Sequence, residues 1–378
     1  MHQKSPSKKA IIKELRRIGS LDHQYNDGKI FCSMCTQPHP IAQKAYKMFL
    51  ASNLGDPRLF PGTAKLEKEV INDLATLLHG KNCRGFVVSG GTEANLLALL
   101  SARNLTQKEQ PEVILPDSAH FSLAKICNLL KLKPIYAPLD SKFAVNAPSV
   151  KDLVSKNTVA IVGTAGTAEL GAVDPIPHLA KIAKDHDINL HVDAAFGGMI
   201  IPFLDGEKPI FDFCMEEVTS MTVDPHKMGM AAIPAGGIIF RDEGAIEAIK
   251  TRTPYLSDSY QYTFVGTRSG ASVASAWAVL RYLGVEGFRL TIAKCMKNTH
   301  FLAGELKTAG FQLVTEPTLN IVAFRKEEGT KSLSEKLWQH GWFVSYIPRY
   351  DCIRIVLMPH ITKANVIAFL RQLKIEKL

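Results

Sequence analysis

A lysine and an aspartate stand directly after separate apolar runs of this sequence. Lys227 lies in the segment Asp224-Pro225-His226-Lys227, and Asp193 follows another run. A lysine removed from solvent is expected to have a lowered pKa and can act as the nucleophile that forms a Schiff base with an aldehyde. A buried carboxylate such as Asp193 needs a cationic or proton-bearing partner, although the same residue could instead cap a helix.

A glycine-rich turn follows a third apolar run. The residues Ser89-Gly90-Gly91-Thr92 come after 86–88 and precede a helical pattern. Backbone N–H groups of such a turn, together with the N-terminus of the helix, form a cradle suited to a phosphate group. The same four residues also fit an ordinary turn with a helix cap.

Small and aromatic residues complete a constellation that suits one ligand. His120 follows a run at 113–115, Thr164 and Thr167 follow one at 159–162, and Ala195 lies just beyond Asp193. Taken alone, the histidine is more often structural and the threonine segment is a plain turn. Together with a Schiff-base lysine, a carboxylate and a phosphate cradle, they are the parts needed to hold pyridoxal phosphate, with His120 stacked on its ring and Ala195 below it.

The elements that carry these residues alternate along the chain. Short, apolar, β-branched runs are separated by helical patterns, which is typical of an α/β fold with a mainly parallel sheet between layers of helices. Ligands bind at the carboxyl edge of such sheets, where all these residues are expected to lie. The predicted strands are 86–88, 113–115, 159–162, 189–192, 219–223 and 237–240, and the predicted helices include 94–103, 123–130 and 176–184.

The pattern changes after residue 249. A turn-rich, aromatic segment over 251–267 precedes an apolar helix over 271–283, and the remainder, with strands at 321–324 and 353–356, predicts a small α+β domain. We therefore divide the chain into an N-terminal segment (1–55), a large cofactor-binding domain (56–270), and a linking helix with the small C-terminal domain (271–378).

Composition excludes several classes of protein. The 378 residues are 46% hydrophobic, and 45 Lys+Arg against 36 Asp+Glu give a net charge of +9. This composition excludes a disordered chain, collagen and a coiled coil. No run approaches the roughly 18–20 apolar residues that cross a bilayer, and the basic helix predicted over 1–17 lacks the features of a secretory signal. Because the cations are scattered, neither nucleic-acid nor membrane binding is expected, and a nucleic-acid binder has only the net charge in its favour.

Cysteine usage favours a reducing compartment. Seven cysteines, an odd number, are spread along the chain, so we expect a cytoplasmic protein without a disulfide framework. Cys32 and Cys35 form one C-x-x-C motif with no second pair at zinc spacing, so no metal site is expected and their role stays open.

Several motifs together resemble the fold-type I pyridoxal-phosphate enzymes of the group II decarboxylase family, and in particular its archaeal L-tyrosine and L-aspartate decarboxylases. The motifs are NLGDPRLFPGTAKLE (53–67), SGGTEAN (89–95), HVDAAFGG (191–198), DPHKMG (224–229), GTRSG (266–270) and IRIVLMPH (353–360). They occur in order across most of the chain, so the resemblance is specific.

The resemblance implies roles for individual residues. Lys227 would form the Schiff base with the cofactor, Asp193 would pair with its pyridinium nitrogen, and His120 would stack on its ring. It also implies a homodimer, in which the segment around Thr267 reaches the active site of the partner. The implied cofactor-binding residues are Lys227, Ser89, Gly90, Gly91, Thr92, His120, Thr164, Thr167, Asp193, Ala195, His226 and Thr267.

The resemblance also implies a reaction, the decarboxylation of an L-amino acid. L-Tyrosine is the first candidate, giving tyramine for methanofuran synthesis, and L-aspartate the second, giving β-alanine for coenzyme A. Arg354 is a candidate for binding the substrate carboxylate, unless it is an ordinary strand-face charge. Tyr255, in the tyrosine-rich loop 251–263, could cover the site and donate a proton, or pack in a dimer. The alternatives, a carbon–carbon lyase or a cysteine desulfurase, would keep both Lys227 and Asp193.

Overall fold

A seven-stranded sheet forms the middle of the large domain. In the computed structural model, which describes residues 5–106 and 108–377, the strands lie in the order β1-β7-β6-β5-β4-β2-β3. Strands β3, β2, β4, β5 and β6 are parallel, and β7 is antiparallel to both of its neighbours. The strands are β1 (Arg84–Val88), β2 (Glu112–Pro116), β3 (Lys133–Ala137), β4 (Thr158–Thr164), β5 (Asn189–Asp193), β6 (Val218–Val223) and β7 (Gly236–Phe240).

The predicted α/β class and every predicted strand of the large domain are confirmed. Strands β2, β4 and β7 are buried along their whole length, because helices cover both faces of the sheet. One apolar cluster lies under α3, α7 and α9, and a second lies under α4 and α5. Strand β3 was not predicted, since it is a partly exposed edge strand that opens on Lys133 and Pro134.

The described part of the chain contains eleven α-helices. Helices α2 and α3 begin at Pro40 and Pro61, whose fixed φ suits the first helical position. The helices are α1 (Lys8–Gly19), α2 (Pro40–Met48), α3 (Pro61–Leu77), α4 (Gly91–Asn104), α5 (Phe121–Leu130), α6 (Ala147–Leu153), α7 (Ile176–His186), α8 (Glu243–Glu247), α9 (Gly270–Thr308), α10 (Thr330–Gln339) and α11 (Lys363–Lys377). The predicted N-terminal helix is α1, and residues 1–4 of that prediction lie outside the described residues.

Helix α9 connects the large and small domains. It has 39 residues, far more than the predicted 271–283, and its helical path breaks at Gly284 (φ 54°, ψ −169°), a backbone conformation that glycine adopts without a Cβ clash. Helix α9 packs on α2 of the N-terminal segment, on α3 of the large domain, and on α11 and β11 of the small domain. None of the helices described here is long and apolar enough to cross a membrane.

The small domain is an antiparallel sheet in the order β10-β11-β13-β12, with α10 and α11 packed on it. Its strands are β10 (Gln312–Leu313), β11 (Ile321–Arg325), β12 (Ser345–Ile347) and β13 (Cys352–Val356), and a separate hairpin pairs β8 (Thr251–Arg252) with β9 (Tyr260–Gln261). Strands β11 and β13 are the two that the sequence predicted.

An N-terminal segment lies along the small domain before it turns towards the large one. The Phe31 carbonyl accepts a hydrogen bond from the Val356 N–H (2.8 Å), and the Phe31 ring is fully buried. His360 donates from Nε2 to the Ile30 carbonyl (2.9 Å) and accepts from the Thr36 hydroxyl at Nδ1 (2.8 Å). The small domain therefore fixes the position of residues 30–36, which include the C-x-x-C motif.

Candidate active site

A cavity of about 350 Å³ opens at the carboxyl edge of the parallel strands. Most of the predicted site residues line it: Ser89, Gly90, Gly91, Thr92, His120, Thr164, Asp193, Ala195, His226 and Lys227. The sequence analysis did not select six further lining residues: Met34, Asn95, Gly166, Ala168, Phe196 and Asp224. Residues from the N-terminal segment, from α4 and from the ends of five strands thus meet in one place.

Lys227 lies in the turn after β6 and is paired with a carboxylate. Its Nζ is 3.1 Å from Asp224 Oδ2, and 21% of the lysine side chain is exposed against 2% of the aspartate. Burial lowers the pKa of Lys227, but the carboxylates of Asp224 and Asp193 outweigh it, and the pKa is raised above its ordinary value. The expectation of a lowered pKa for Lys227 is therefore wrong, because it did not take account of these two negative charges.

Asp193 ends β5 with both carboxylate oxygens hydrogen-bonded. Oδ2 accepts from Asn95 Nδ2 (2.8 Å), and Oδ1 accepts from the Ala195 N–H (3.1 Å). Only 6% of Asp193 is exposed. The sequence analysis expected a cationic or proton-bearing partner, and the structure gives Asp193 a neutral amide donor from α4 together with the ammonium of Lys227 nearby.

Asn95 is held by a buried network behind Asp193. Its Oδ1 accepts from the Thr222 hydroxyl (2.6 Å) and lies 3.0 Å from His191 Nε2, while His191 Nδ1 lies 2.9 Å from the Ser220 hydroxyl. Since the Asn95 amide N–H already donates to Asp193, its oxygen must accept, and His191 therefore carries its proton on Nε2. This network orients the amide that fixes Asp193.

Burial lowers the pKa of His191 to about 4, despite the opposing effect of Asp193. Since an unfolded histidine titrates near 6.5, the folded state binds fewer protons between about pH 4 and 6.5, and stability falls as pH falls through this range. Asp174, whose oxygens accept from the Val145 and Thr164 N–H groups, acts in the opposite direction. Burial raises the pKa of Asp174 to about 6, so the folded state gains a proton first and stability rises as pH falls towards 4.

These opposite signs give a prediction that urea denaturation can test. When the pH is lowered from 6.5 to 4.5, the unfolding free energy of His191→Gln should fall by roughly 2–3 kcal/mol less than that of the wild type. Asp174→Asn should make it more sensitive by a similar amount. Parallel pH profiles for the wild type and either variant would contradict the protonation states given for that residue.

The phosphate cradle predicted between β1 and α4 is a turn held by hydrogen bonds to Glu93. The Ser89 N–H and hydroxyl both donate to Glu93 Oε2 (2.8 and 2.7 Å), and Glu93 Oε1 accepts from the Val265 N–H (3.1 Å). The donors of Ser89 are therefore engaged. Gly91 and Thr92 open α4, so their N–H groups have no partner within the helix and can face an anion.

Two histidines flank this cradle and the lysine. His226 donates from Nδ1 to the Ala235 carbonyl (2.7 Å), and its Cε1 would lie 3.3 Å from a Cβ placed on Gly90. His120 caps α5, with Nδ1 2.8 Å from the Ser122 hydroxyl. Burial lowers the pKa of His120, although Asp193 acts against this, so its ring is neutral and available for stacking.

Four predicted site residues do not line the cavity. The Thr167 hydroxyl accepts from the Ala172 N–H (3.0 Å), and Thr267 lies in a separate groove with Ser89 and Glu93. Tyr255 is 84% exposed. Arg354 donates to the Ala168 carbonyl (2.6 Å), the Cys32 carbonyl (2.5 Å) and the Ser345 hydroxyl (3.0 Å). The roles given to these four residues remain predictions.

The conserved domain of pyridoxal-dependent decarboxylases matches residues 50–327. This chain belongs to that family. A probable L-aspartate decarboxylase of Archaeoglobus fulgidus is 47% identical over 360 residues, which are 95% of this chain and 97% of the relative. A probable L-tyrosine/L-aspartate decarboxylase of Methanothermobacter thermautotrophicus is 49% identical over 93% of this chain and 98% of its own. An L-aspartate/L-glutamate decarboxylase of Pyrococcus horikoshii is 46% identical over 97% of each chain.

A solved structure shares the whole architecture. The sphingosine-1-phosphate lyase of Burkholderia pseudomallei covers 100% of this chain with a TM-score of 0.93 at 25% identity, and this chain covers 92% of it. The predicted fold-type I architecture is confirmed, as is the prediction of a pyridoxal-phosphate-dependent amino-acid decarboxylase.

The residues of the cavity fit the cofactor of this family. Thr164 Oγ1 and Asp224 Oδ1 are buried without a hydrogen-bond partner in the described residues, so both are free to meet a polar ligand. A Cβ on Gly91 would lie 3.1 Å from Asp224 Oδ2 and 3.2 Å from the Ala195 Cβ, so a side chain at this position would crowd the floor of the cavity. Polar groups, a small floor and an amine thus surround a space suited to pyridoxal phosphate.

Proposed function

We propose that this enzyme removes the α-carboxylate of L-aspartate, L-tyrosine or both. The observation that carries the proposal is that Lys227 and Asp193 face one cavity beside the open N-terminus of α4. The substrate class is supported by relatives that match at least 93% of this chain and are named for L-aspartate, L-tyrosine or L-glutamate. The products would be β-alanine from aspartate and tyramine from tyrosine.

Each residue of the cavity has a distinct task in this proposal. Bound pyridoxal phosphate supplies the electron sink that accepts the electrons of the broken carbon–carbon bond. Lys227 holds the cofactor through Nζ and afterwards moves protons at that nitrogen. Asp193, fixed by Asn95, presents a negative charge that keeps the ring nitrogen protonated. His120 would cover the ring and exclude water, while the N–H groups of Gly91 and Thr92 would hold the phosphate.

We propose that Arg354 binds a carboxylate of the substrate. Its Nε is buried and, in the part of the chain that the structure describes, has no hydrogen-bond partner. Its Nη1 donates to the carbonyl of Ala168, a residue that lines the cavity. The guanidinium thus bonds a residue of the cavity wall and leaves the Nε–H and one Nη1–H unused among the described residues, and its planar fork suits a carboxylate.

Arg354→Lys is expected to raise the KM by about 10- to 100-fold, since a charge-assisted hydrogen bond in a buried site contributes roughly 1.5–3 kcal/mol. The measurement is steady-state kinetics with both amino acids. An equal rise for aspartate and tyrosine would mean that Arg354 binds the α-carboxylate, and a rise for aspartate alone would mean the β-carboxylate. Arg349→Lys is the matched control, because Arg349 lies nearby in the same domain and pairs with Asp117 at the surface. An unchanged KM in the Arg354 variant would contradict this role.

We further propose that the enzyme is a homodimer whose 251–267 segment lies beside the partner's cavity. Tyr255, Phe264 and Val265 are 84%, 62% and 39% exposed, so this segment presents apolar surface that a second subunit would cover. Thr267 and Tyr255, which do not line the cavity of their own chain, would then line that of the partner.

A cytoplasmic location is supported by the seven cysteines, all of which are free thiols.

The deciding experiment is an absorption spectrum of the purified protein with pyridoxal phosphate, followed by separate additions of L-tyrosine, L-aspartate and L-glutamate while CO2 and amine are assayed. A visible band with β-alanine or tyramine is the expected result. A band without CO2 would instead favour a carbon–carbon lyase, and the solved structure of the same architecture is named as a lyase. Sulfide release from cysteine would indicate a desulfurase.

A further inference from the structure

Asp224 lies next to the Lys227 amine, and one of its two carboxylate oxygens has no partner in the described residues. Oδ2 is 3.1 Å from Lys227 Nζ, while Oδ1 is buried and unpaired within residues 5–106 and 108–377. Only 2% of the side chain is exposed. Asp193 differs, because Asn95 and the Ala195 N–H already satisfy its oxygens. Loss of the Lys227 proton would therefore leave Asp224 as a buried charge with little compensation.

The other titratable groups around this pair come from several elements. Asp193 from β5 adds a second negative charge, and His226 Nε2 is 3.8 Å from Asp224 Oδ2. Burial lowers the pKa of His120 at the start of α5, so that ring is neutral at pH 7 and above. Burial also raises the pKa of the Cys35 thiol from the N-terminal segment, so this thiol stays neutral and adds no charge. One ammonium thus faces two carboxylates.

We infer that Asp224 is the counter-ion that keeps Lys227 as an ammonium until the cofactor arrives, and thereby sets the pH at which the enzyme loads pyridoxal phosphate. This inference goes beyond decarboxylation and rests only on the cofactor of the family. Only the free amine has the electron pair that attacks the cofactor aldehyde. The ammonium proton leaves to solvent, the carbon–nitrogen bond forms, and the aldehyde oxygen leaves as water. The raised pKa of Lys227, to which Asp224 contributes more than Asp193, agrees with this order of events.

The test is the rate of cofactor loading, measured on full-length apoprotein without substrate. The visible band that forms when pyridoxal phosphate joins Lys227 is followed from pH 6.5 to 11.5 in the wild type and in Asp224→Asn, a range that reaches the raised pKa of Lys227. We expect the wild-type rate to rise about tenfold per pH unit, since loading follows the fraction of free amine. The variant should level off at least one pH unit earlier and load about tenfold faster at pH 7. An unchanged midpoint, or slower loading at pH 7, would overturn the inference.

A second measurement reports the protonation of Lys227 without the cofactor. Trace acetylation of the apoprotein with acetic anhydride, quantified at Lys227 by mass spectrometry across the same pH range, reports the free amine directly. Its midpoint should shift down in Asp224→Asn and stay in place in Asp212→Asn, which removes a buried carboxylate outside the cavity. An unshifted Lys227 midpoint in Asp224→Asn would overturn the inference.

A purely repulsive role of Asp224 towards the phosphate group gives a different pattern. In that case Asp224→Asn would bind inorganic phosphate more tightly and load faster by one constant factor at every pH, with no shift of either midpoint, and that result would also overturn the inference. Because none of these readouts needs an amino acid or CO2 release, failure of the proposed substrate would leave them intact, and the two failures are distinguishable.

Discussion

Lys227→Ala is expected to bind pyridoxal phosphate without a covalent link and to lose decarboxylase activity by roughly 10⁴-fold or more, as is typical when the residue that bonds the reactant is removed. The reason is chemical, since no other lysine lines the described cavity. Borohydride reduction followed by mass spectrometry should find the cofactor on the wild-type peptide that contains Lys227 and on no peptide of the variant. Turnover is measured as CO2 release in the same samples.

This substitution also changes the charge of the cavity. Asp224 loses its 3.1 Å partner, and Asp193 loses the nearby ammonium, so the variant should be about 1–3 kcal/mol less stable than the wild type. Lys227→Arg is the matched control, because it keeps a cation between the two carboxylates but has no amine to bond the cofactor. It should recover much of the stability and none of the activity. Undiminished turnover in either variant would contradict the proposed role of Lys227.

The position of the cavity could be predicted from the sequence, and the reason is geometric. Parallel strands covered on both faces appear in the sequence as uninterrupted apolar runs, and the polar residue after each run must lie at one edge. This rule places His120, Asp193 and Lys227 at the carboxyl edge. The sequence does not predict strand β3, because this edge strand keeps exposed polar residues. The predicted length of α9 is too short, because the second half of the helix is amphipathic and not uniformly apolar.

The parts of the site that depend on long-range packing could not be predicted. Met34 enters the cavity only because the small domain holds residues 30–36 in place, a contact between distant parts of the chain. Asn95 lies in the motif SGGTEAN (89–95), but its contact with Asp193 needs the packing of α4 on β5. The direction of the Lys227 pKa shift depends on where Asp224 points, which spacing alone does not give.

Asp193→Asn should reduce kcat by about 10²–10³-fold, the usual cost of removing one electrostatic group from a reaction centre. An amide cannot present the negative charge that keeps the ring nitrogen protonated. The KM for the amino acid should stay within a few-fold of the wild type, because the proposal gives Asp193 no contact with the substrate. Steady-state kinetics with saturating cofactor separates the two constants.

Stability must be measured beside activity, because Asp193 also belongs to the buried network. The Asn95 amide N–H donates to Asp193 and cannot turn away, since Asn95 Oδ1 is held by Thr222 and His191. The amide in Asp193→Asn has one acceptor oxygen for two donors, the Asn95 amide and the Ala195 N–H. One donor would lose its partner, at a cost of about 1–3 kcal/mol in stability. Asp212→Asn, at a buried carboxylate that accepts from the Cys214 N–H outside the cavity, should cost a similar stability and leave kcat unchanged. If the two variants lost kcat equally, the effect would come from stability, and the electrostatic role of Asp193 would be wrong.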